Sequence, residues 1–339
     1  MTATKTKGGG GKWAVLGGLV LAALVAVEAG WAGFGWAQIR SAVFPRDESL
    51  LAWLPADTSA VVVIDPHQVK LDALGAEGST ARSSLQRTRD DIKKATGIDL
   101  AFDIDKLVLS ESLAVARGRF SEKRLADKLA SHQYARAEHE GVSYLARRGE
   151  DALAVIDGAV LLYGDEAGVK AGISAHAHGT SLAKHEPTTA RLGALGWSHP
   201  VISTLRMTDE KPSVRQILSG STGPRAVSLA ISTQAGLDLD LLVEAASAGA
   251  ADELSRLLDE KRKGDTSLAL LIGPEAAKIL SEMAAKATIT ADPATGNVKI
   301  HLHLDQTQVD TLGKQIKSNQ ALLQGYKSVR LFQLLAPSI

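Results

Sequence analysis

Hydrophobic and polar positions alternate along much of the chain between residues 57 and 305, in short runs separated by turn residues. In residues 237–243 the apolar side chains stand at every second position, with Asp238 and Asp240 between them. This period of two is typical of an antiparallel sheet with one polar face. Asp157-Gly158, between two apolar runs, predicts a tight hairpin. The predicted strands are 59–64, 104–109, 113–120, 134–138, 142–146, 152–156, 159–163, 201–207, 226–233, 237–243, 288–291 and 298–304.

Other stretches place apolar residues at helical spacing. Ser121 is a suitable N-cap for a helix that carries Leu125 and Leu129 on one side. In each half of the chain a strand pair leads into such a helix, so the order of elements repeats. We therefore predict an α+β fold with two related antiparallel-sheet domains, 57–197 and 198–339, each covered by helices on one face. The predicted helices are 83–95, 121–131, 166–175, 182–195, 212–218, 250–261, 274–286 and 306–335.

The N-terminus carries the longest apolar segment, Trp13–Trp36. A helix of that length spans roughly 35 Å, enough for the hydrocarbon core of a bilayer. The tail at 1–12 contains three lysines and no acidic residue, which by the positive-inside rule keeps it in the cytoplasm. We predict a transmembrane anchor at 13–39, a juxtamembrane linker at 40–56, and a single-pass inner-membrane protein whose C-terminal domains lie in the periplasm.

A cleaved signal peptide is the alternative. Its cleavage site would be Val27-Glu28-Ala29 or Gly30-Trp31-Ala32. Glu28 disfavours a membrane span, because a charged residue at the bilayer centre costs roughly 2.5–3.5 kcal/mol on insertion scales. It lies about two turns from the outer end, however, and the apolar character continues past both cleavage sites. The anchor is therefore the favoured interpretation.

Small residues recur every four positions within this segment, at Ala14, Gly18, Ala22, Ala26 and Gly30. Such a row lets two membrane helices approach closely, so it predicts self-association through this face. Alanine and glycine are abundant throughout the chain, and the row can also arise without that role.

Composition narrows the classes of function. The formal net charge is zero, which disfavours a broad nucleic-acid-binding surface. The chain has no cysteine, which excludes disulfides, thiolate nucleophiles and cysteine-ligated metal sites. A chain of this length can fold on its hydrophobic core alone.

The sharpest candidate for chemistry is the run from His301 through His303 to Asp305. On a strand these three side chains share a face and could hold a metal, as a metal-dependent hydrolase would require. The alternative is that the apolar residues between them form the buried face and the histidines face solvent. We favour this second interpretation.

The remaining polar motifs have simpler interpretations. His176 and His178 end a helix and suit its C-terminal dipole, with His185 seven residues on. The aspartates 99, 103 and 105 lack the spacing of a calcium loop. Residues 220–223 are predicted to form a flexible loop, and residues 261–263 are predicted to be a basic run in contact with solvent. The sequence contains neither a P-loop nor a nucleophile elbow. The sequence therefore predicts no catalytic, cofactor-binding or metal-ligating residues.

Three motifs together resemble a loose group of bacterial, membrane-anchored or secreted proteins of unknown function built from duplicated α+β units. They are Leu54-Pro55-Ala56-Asp57-Thr58, Gly118-Arg119-Phe120-Ser121, and Tyr144 followed by Ala154 and Leu161-Leu162-Tyr163-Gly164-Asp165. The resemblance spans about residues 50–180. It implies an exported protein of two units in a Gram-negative envelope and carries no activity.

These patterns favour a non-enzymatic, membrane-tethered binding or assembly protein with an unidentified envelope protein as its partner. A binder of lipid or another hydrophobic ligand is the alternative, suggested by the many amphipathic strands and the long closing helix.

The fate of the N-terminus is testable. We expect the mature protein isolated from cells to begin at Met1 or Thr2, because the apolar segment is retained as an anchor. N-terminal sequencing and intact mass measure this directly. A mature terminus near Gly30 or Gly33 would instead establish a cleaved, free periplasmic protein.

Overall fold

The computed structural model describes residues 48–68, 90, 93–94, 96–99, 102–147, 150–206, 224–232, 237–262, 274–292, 294–305, 307–309 and 311. The predicted anchor with its row of small residues lies outside this part of the chain. So do the helix at 212–218 and most of the helices at 83–95 and 306–335. Within the described residues, no helix combines the length and apolarity needed to cross a bilayer.

Twelve strands form one continuous antiparallel sheet. Its order is β11-β12-β10-β9-β8-β1-β2-β3-β7-β6-β5-β4. The strands are β1 (Ala60–Ile64), β2 (Ile104–Ser110), β3 (Leu113–Gly118), β4 (Tyr134–His139), β5 (Val142–Arg147), β6 (Asp151–Ile156), β7 (Val160–Asp165), β8 (Val201–Arg206), β9 (Ala226–Ser232), β10 (Leu237–Glu244), β11 (Thr288–Asp292) and β12 (Asn297–Leu304).

Helices of the α and 3₁₀ types accompany the sheet in the described part of the chain. The α-helices are α1 (Glu122–Leu129), α2 (Glu166–Ala177), α3 (Glu186–Leu195), α4 (Ala248–Arg262) and α5 (Pro274–Lys286). The 3₁₀ helices are Glu48–Trp53, Ala130–His132 and Leu182–Lys184. The α+β class and the antiparallel pairing predicted from the sequence are confirmed, and every predicted strand is present with both ends within two residues of their expected positions.

The strand order repeats within the sheet. In the first half, β1, β2 and β3 form a meander, α1 follows, and the chain returns so that β7 pairs with β3. In the second half, β8, β9 and β10 form the meander, α4 follows, and β12 returns to pair with β10. The second half has one hairpin fewer. The predicted repeat is thus present in the topology.

The two halves share one sheet, whereas the sequence predicts two. The join is the antiparallel pair of β1 and β8, in which Ala60 lies opposite Leu205 and Ile64 lies opposite Val201. The alternation of side chains along a strand does not show which distant strand pairs with it. Two sheets joined edge to edge therefore have the same sequence pattern as two separate sheets.

The first half of the sheet is buried on both faces. On one face, Leu107, Leu109 and Ala116 pack with Leu125 and Leu129 of α1. The prediction that helices cover one face is wrong here, because α2 lies on the other. That burial on both sides explains the nearly continuous apolar runs of β2 and β3.

The opposite face of the same strands forms a second cluster. Val108 and Val115 alternate with the residues of the first cluster and pack with Ile173 of α2 and Leu192 of α3. Leu50, Leu51, Trp53 and Leu54 complete this cluster. Residues 48–54 lie in the predicted linker, yet these four side chains are almost fully buried, so this part of the predicted linker belongs to the core.

In the second half, α4 packs on one face of the sheet. Ala251 and Leu254 contact Val243 of β10 and Val298 of β12 in a third cluster. Cross-strand register places this cluster on the same side of the sheet as α1. The polar side chains of β10 and β12 consequently point to the other face.

The close approach of α2 to the sheet gives a prediction. A Cβ at Gly172 would lie 2.6 Å from Leu113 Cδ2 and 2.8 Å from the Trp53 carbonyl oxygen. We expect Gly172→Ala to lower the free energy of unfolding by about 1–3 kcal/mol, because the helix must shift away from its neighbours. Thermal unfolding of the full chain in detergent micelles measures the effect.

Gly249→Ala is the matched control. A Cβ at this helical glycine meets nothing within 4 Å, so alanine is expected to be neutral or to stabilise by up to about 1 kcal/mol through helix propensity. Equal melting temperatures for the two variants would contradict the described packing of α2.

Candidate functional site: the histidine and aspartate face of β10 and β12

The register of β10 and β12 places two histidines directly opposite two aspartates. His301 faces Asp240, and His303 faces Asp238, on the face away from α4. All four side chains lie on one side of the sheet, because residues two apart on a strand and residues directly opposite on paired strands share a face. Sequence reasoning placed the histidines on the solvent face, and their partners follow only from the pairing of strands about 60 residues apart.

Each histidine makes one short hydrogen bond to its aspartate. The Nδ1 atoms of His301 and His303 lie 2.7 Å from the Oδ1 atoms of Asp240 and Asp238, respectively. An ionised carboxylate only accepts hydrogen bonds, so Nδ1 carries the proton in each ring. The histidine side chains are about half exposed, at 51% and 49%.

The neighbouring edge strand extends this polar surface. Thr288 of β11 lies opposite His301, and Thr290 lies opposite Lys299. The side chains of Thr288, Thr290 and Lys299 are exposed. Among the described strands, β11 pairs only with β12, so it ends the sheet. We call this surface the rim patch; it comprises Asp238, Asp240, Thr288, Thr290, Lys299, His301 and His303.

Asp305, the third residue of the run considered as possible metal ligands, caps a helix. Its carboxylate accepts a hydrogen bond from the backbone N–H of Gln308 at 2.9 Å, and its own N–H donates to Gln308 Oε1 at 3.1 Å. This reciprocal pair caps the start of the following helix. In the part of the chain described, no group of three or more His, Asp or Glu side chains has an arrangement that could hold a metal ion.

The histidines at 176, 178 and 185 go to three separate partners. The ring of His176 stacks on Trp53 with centroids 3.8 Å apart. His178 is the C-cap of α2 and contacts Glu140, while His185 Nδ1 lies 2.9 Å from Thr188 Oγ1. They form no common site.

The aspartates 99, 103 and 105 organise local structure. Asp99 pairs with Lys93 at 2.7 Å, and Asp103 accepts a hydrogen bond from the Asp99 N–H at 2.7 Å. Asp105 lies 4.0 Å from His67.

Lys261 and Arg262 end α4, and Lys263 and the loop at 220–223 lie outside the described residues.

A polar cluster that the sequence did not predict lies at the β4–β5 turn. Glu140 Oε1 accepts hydrogen bonds from Ser174 Oγ at 2.7 Å and His178 Nε2 at 3.1 Å. His139 Nε2 lies 2.9 Å from the same serine oxygen. The hydrogen bond from Ser174, together with that from His178, holds the pKa of Glu140 below its ordinary value. In a catalytic triad, the carboxylate binds Nδ1 of the histidine whose Nε2 faces the serine. Here Glu140 binds Ser174 itself and not Nδ1 of His139, so the cluster is no catalytic triad.

A second unpredicted cluster centres on Asp151. Its carboxylate accepts hydrogen bonds from Tyr134 and Tyr163 and pairs with Arg147 at 3.0 Å. Burial favours the neutral acid, but the two phenols and the guanidinium outweigh it and hold the pKa of Asp151 below its ordinary value. Burial beside the carboxylate raises the pKa of both tyrosines. The cluster links β4, β5, β6 and β7.

Two buried charges lie near the end of β1. Asp65 and Lys106 are 3% and 7% exposed. Burial raises the pKa of the Asp65 carboxyl and lowers the pKa of the Lys106 amine, and their mutual attraction opposes both changes. Asp65 also accepts from the His67 N–H at 3.1 Å and from Gln68 Nε2 at 2.8 Å, which fixes the turn after β1.

Two surface hollows adjoin α1. One, of about 340 Å³, is lined by Ser121 and the charged side chains of Lys123, Arg124, Asp127 and Lys128. The other, of about 260 Å³, includes Arg119, Asp103 and Phe120. Both are open to solvent, unlike the enclosed cavity that a lipid binder uses.

Comparisons with known proteins give a distant structural likeness. Crystal form I of TP0453 matches with a TM-score of 0.42 at 11% identity, covering 79% of this chain and 96% of that chain. Crystal form III matches with a TM-score of 0.44 at 9% identity, covering 79% and 97%. No protein-family model and no curated protein matches the sequence. At these values no residue role or function is transferred to this chain.

The Asp151 cluster predicts a dependence of stability on pH. We expect Asp151→Asn to lower the free energy of unfolding at pH 7 by about 1.5–3 kcal/mol, the range for hydrogen bonds to a charged group. Because the folded-state pKa is lowered, the carboxylate stabilises the fold above the ordinary aspartate pKa of about 3.9, and this stabilisation is lost as pH falls through the folded value. The difference between wild type and variant should therefore narrow from pH 4 downwards.

Thermal unfolding of the full chain, followed by the fluorescence of the buried Trp53 and Trp197, measures this difference. Glu150→Gln is the control. Glu150 also pairs with Arg147, but its side chain is 55% exposed, so the loss should stay within about 1 kcal/mol. A pH-independent difference for Asp151→Asn would contradict the role assigned to its charge.

Proposed function

We propose that this chain is a non-enzymatic, single-pass inner-membrane protein whose folded part lies in the periplasm and binds a protein partner of the cell envelope. The observation that carries the binding role is the rim patch. Its seven polar side chains lie on one face at the end of the sheet, and the histidines among them are half exposed yet fixed by hydrogen bonds. Fixed polar groups of this kind suit specific recognition, because little side-chain freedom is lost on binding.

The two edge strands of the sheet differ in charge, and this difference favours the rim patch as the binding surface. The edge strand β4 carries Arg136 and Glu138, charged residues that discourage pairing with another chain. The edge strand β11 begins Thr288-Ile289-Thr290, with no charge and no proline. The one charged residue of β11, Asp292, stands at its end. Such an edge can accept an added strand from a partner, and the adjacent polar side chains would then select among partners.

The membrane tether rests on the sequence. The basic tail, the apolar segment at 13–39 and the following aromatic residues support an anchor with the N-terminus in the cytoplasm. Self-association through Gly18, Ala22, Ala26 and Gly30 would bring two rim patches to the same membrane region. The zero net charge supports a protein partner over a nucleic acid.

The proposal can be tested by site-specific photocrosslinking in native membranes. A photoreactive amino acid replaces Thr290 in the rim patch, and in a separate chain it replaces Arg136 on β4, whose side chain is 63% exposed at the other end of the sheet. We expect a discrete protein adduct from position 290 and at least ~10-fold less from position 136.

A second substitution makes the test specific. Lys299→Glu reverses the charge of the lysine in the rim patch, and it should weaken the adduct at position 290 by about tenfold, as a cost of about 1.4 kcal/mol implies. Lys128→Glu on α1 is the control charge reversal. Adducts to lipid alone, or equal protein adducts from positions 290 and 136, would contradict partner binding through this surface.

A further inference from the structure

The two histidines of the rim patch are spaced as metal ligands on a strand can be. His301 and His303 are two residues apart on β12 and project from the same face. In a strand this spacing separates the Cα atoms by roughly 6.5–7 Å, so the two imidazoles are neighbours on that face. Both rings are half exposed, so an ion can reach them from solvent.

The hydrogen bonds of these rings leave Nε2 as the nitrogen that can bind a metal. Nδ1 of each ring donates to an aspartate, so Nε2 keeps its lone pair. In the described part of the structure, neither Nε2 atom makes a hydrogen bond. A histidine that binds a metal nearly always donates its other ring N–H in this way, often to a carboxylate, which fixes the tautomer and makes the ligating nitrogen more basic.

The other histidine pair in the structure lacks this property. His139 and His178 also lie near each other and near a carboxylate, through Glu140. Their Nε2 atoms, however, already contact Ser174 and Glu140. The two pairs thus have the same residue types, but only the rim patch leaves the Nε2 lone pairs for a ligand.

We propose that His301 and His303 bind one divalent transition-metal ion of the copper–zinc type through their Nε2 atoms. Asp240 and Asp238 are the positioning residues, because they hold the rings without binding the ion. Imidazole nitrogen suits Cu²⁺, Ni²⁺ and Zn²⁺, with Cu²⁺ bound most tightly in the usual order of affinities. Water completes the coordination, so the site is weaker than a structural zinc site with four protein ligands. The proposal is independent of the membrane tether and of any protein partner.

Titration of the full chain, purified in detergent micelles without a histidine tag, tests the proposal. With ZnCl₂ in a calorimeter, we expect one ion per chain and an association constant at least ~10-fold lower in His301→Gln and in His303→Gln. Asp240→Asn should lower it by roughly 10–100-fold while leaving both ligands in place. With CuCl₂, electron paramagnetic resonance should show nitrogen coordination that disappears in the His301→Gln/His303→Gln double variant.

The double variant His139→Gln/His178→Gln is the matched control and should bind Zn²⁺ as wild type does. Circular dichroism and the melting temperature confirm that each variant is folded. Binding that is unchanged in His301→Gln/His303→Gln would overturn the site. Binding that is lost in that variant but unchanged in Asp240→Asn and Asp238→Asn would overturn the positioning role of the aspartates.

Discussion

The antiparallel pairing of β1 with β8 is the contact on which the architecture depends. It joins two meanders of the same topology into one sheet, and its register sets the face to which every later side chain points. Because side chains alternate with a period of two, a shift of one residue in this pair would reverse the apolar and polar faces of one half relative to the other. The common face occupied by α1 and α4 is a consequence of that register.

The polar groups of the two halves differ in their exposure. The first half is covered on both faces, so its polar groups serve the fold: Asp151 links four strands, and Asp65 fixes a turn beside the buried Lys106. In the second half, α4 covers one face and α3 covers β8 to β10 on the other, while the rim patch at the β11 end of that face remains accessible. A protein that presents an exposed polar surface on a well-packed support is suited to binding, since loss of flexibility costs it little.

Most local structure could be predicted from the sequence. The Asp157-Gly158 turn adopts the positive φ angles that its hairpin requires, and Ser121 caps α1 as its position indicates. Long-range pairing could not be predicted. His301 and His303 were recognised as residues of the polar face, but Asp238 and Asp240 became their partners only through the β10–β12 register. The clusters at Asp151 and Glu140 likewise join residues on separate elements, and no local signal identifies them.

By itself, the sequence determined the α+β class, the position of nearly every strand, the repeated order of elements and the polar face of β12, because each depends on the spacing of neighbouring residues. It also carries the signals for an N-terminal membrane anchor. Only the tertiary structure decided that the halves share one sheet, that helices cover both faces of the first half, and that residues 48–54 belong to the core. These outcomes depend on which distant surfaces meet, and the apolar pattern of a segment specifies that it is buried without specifying against what.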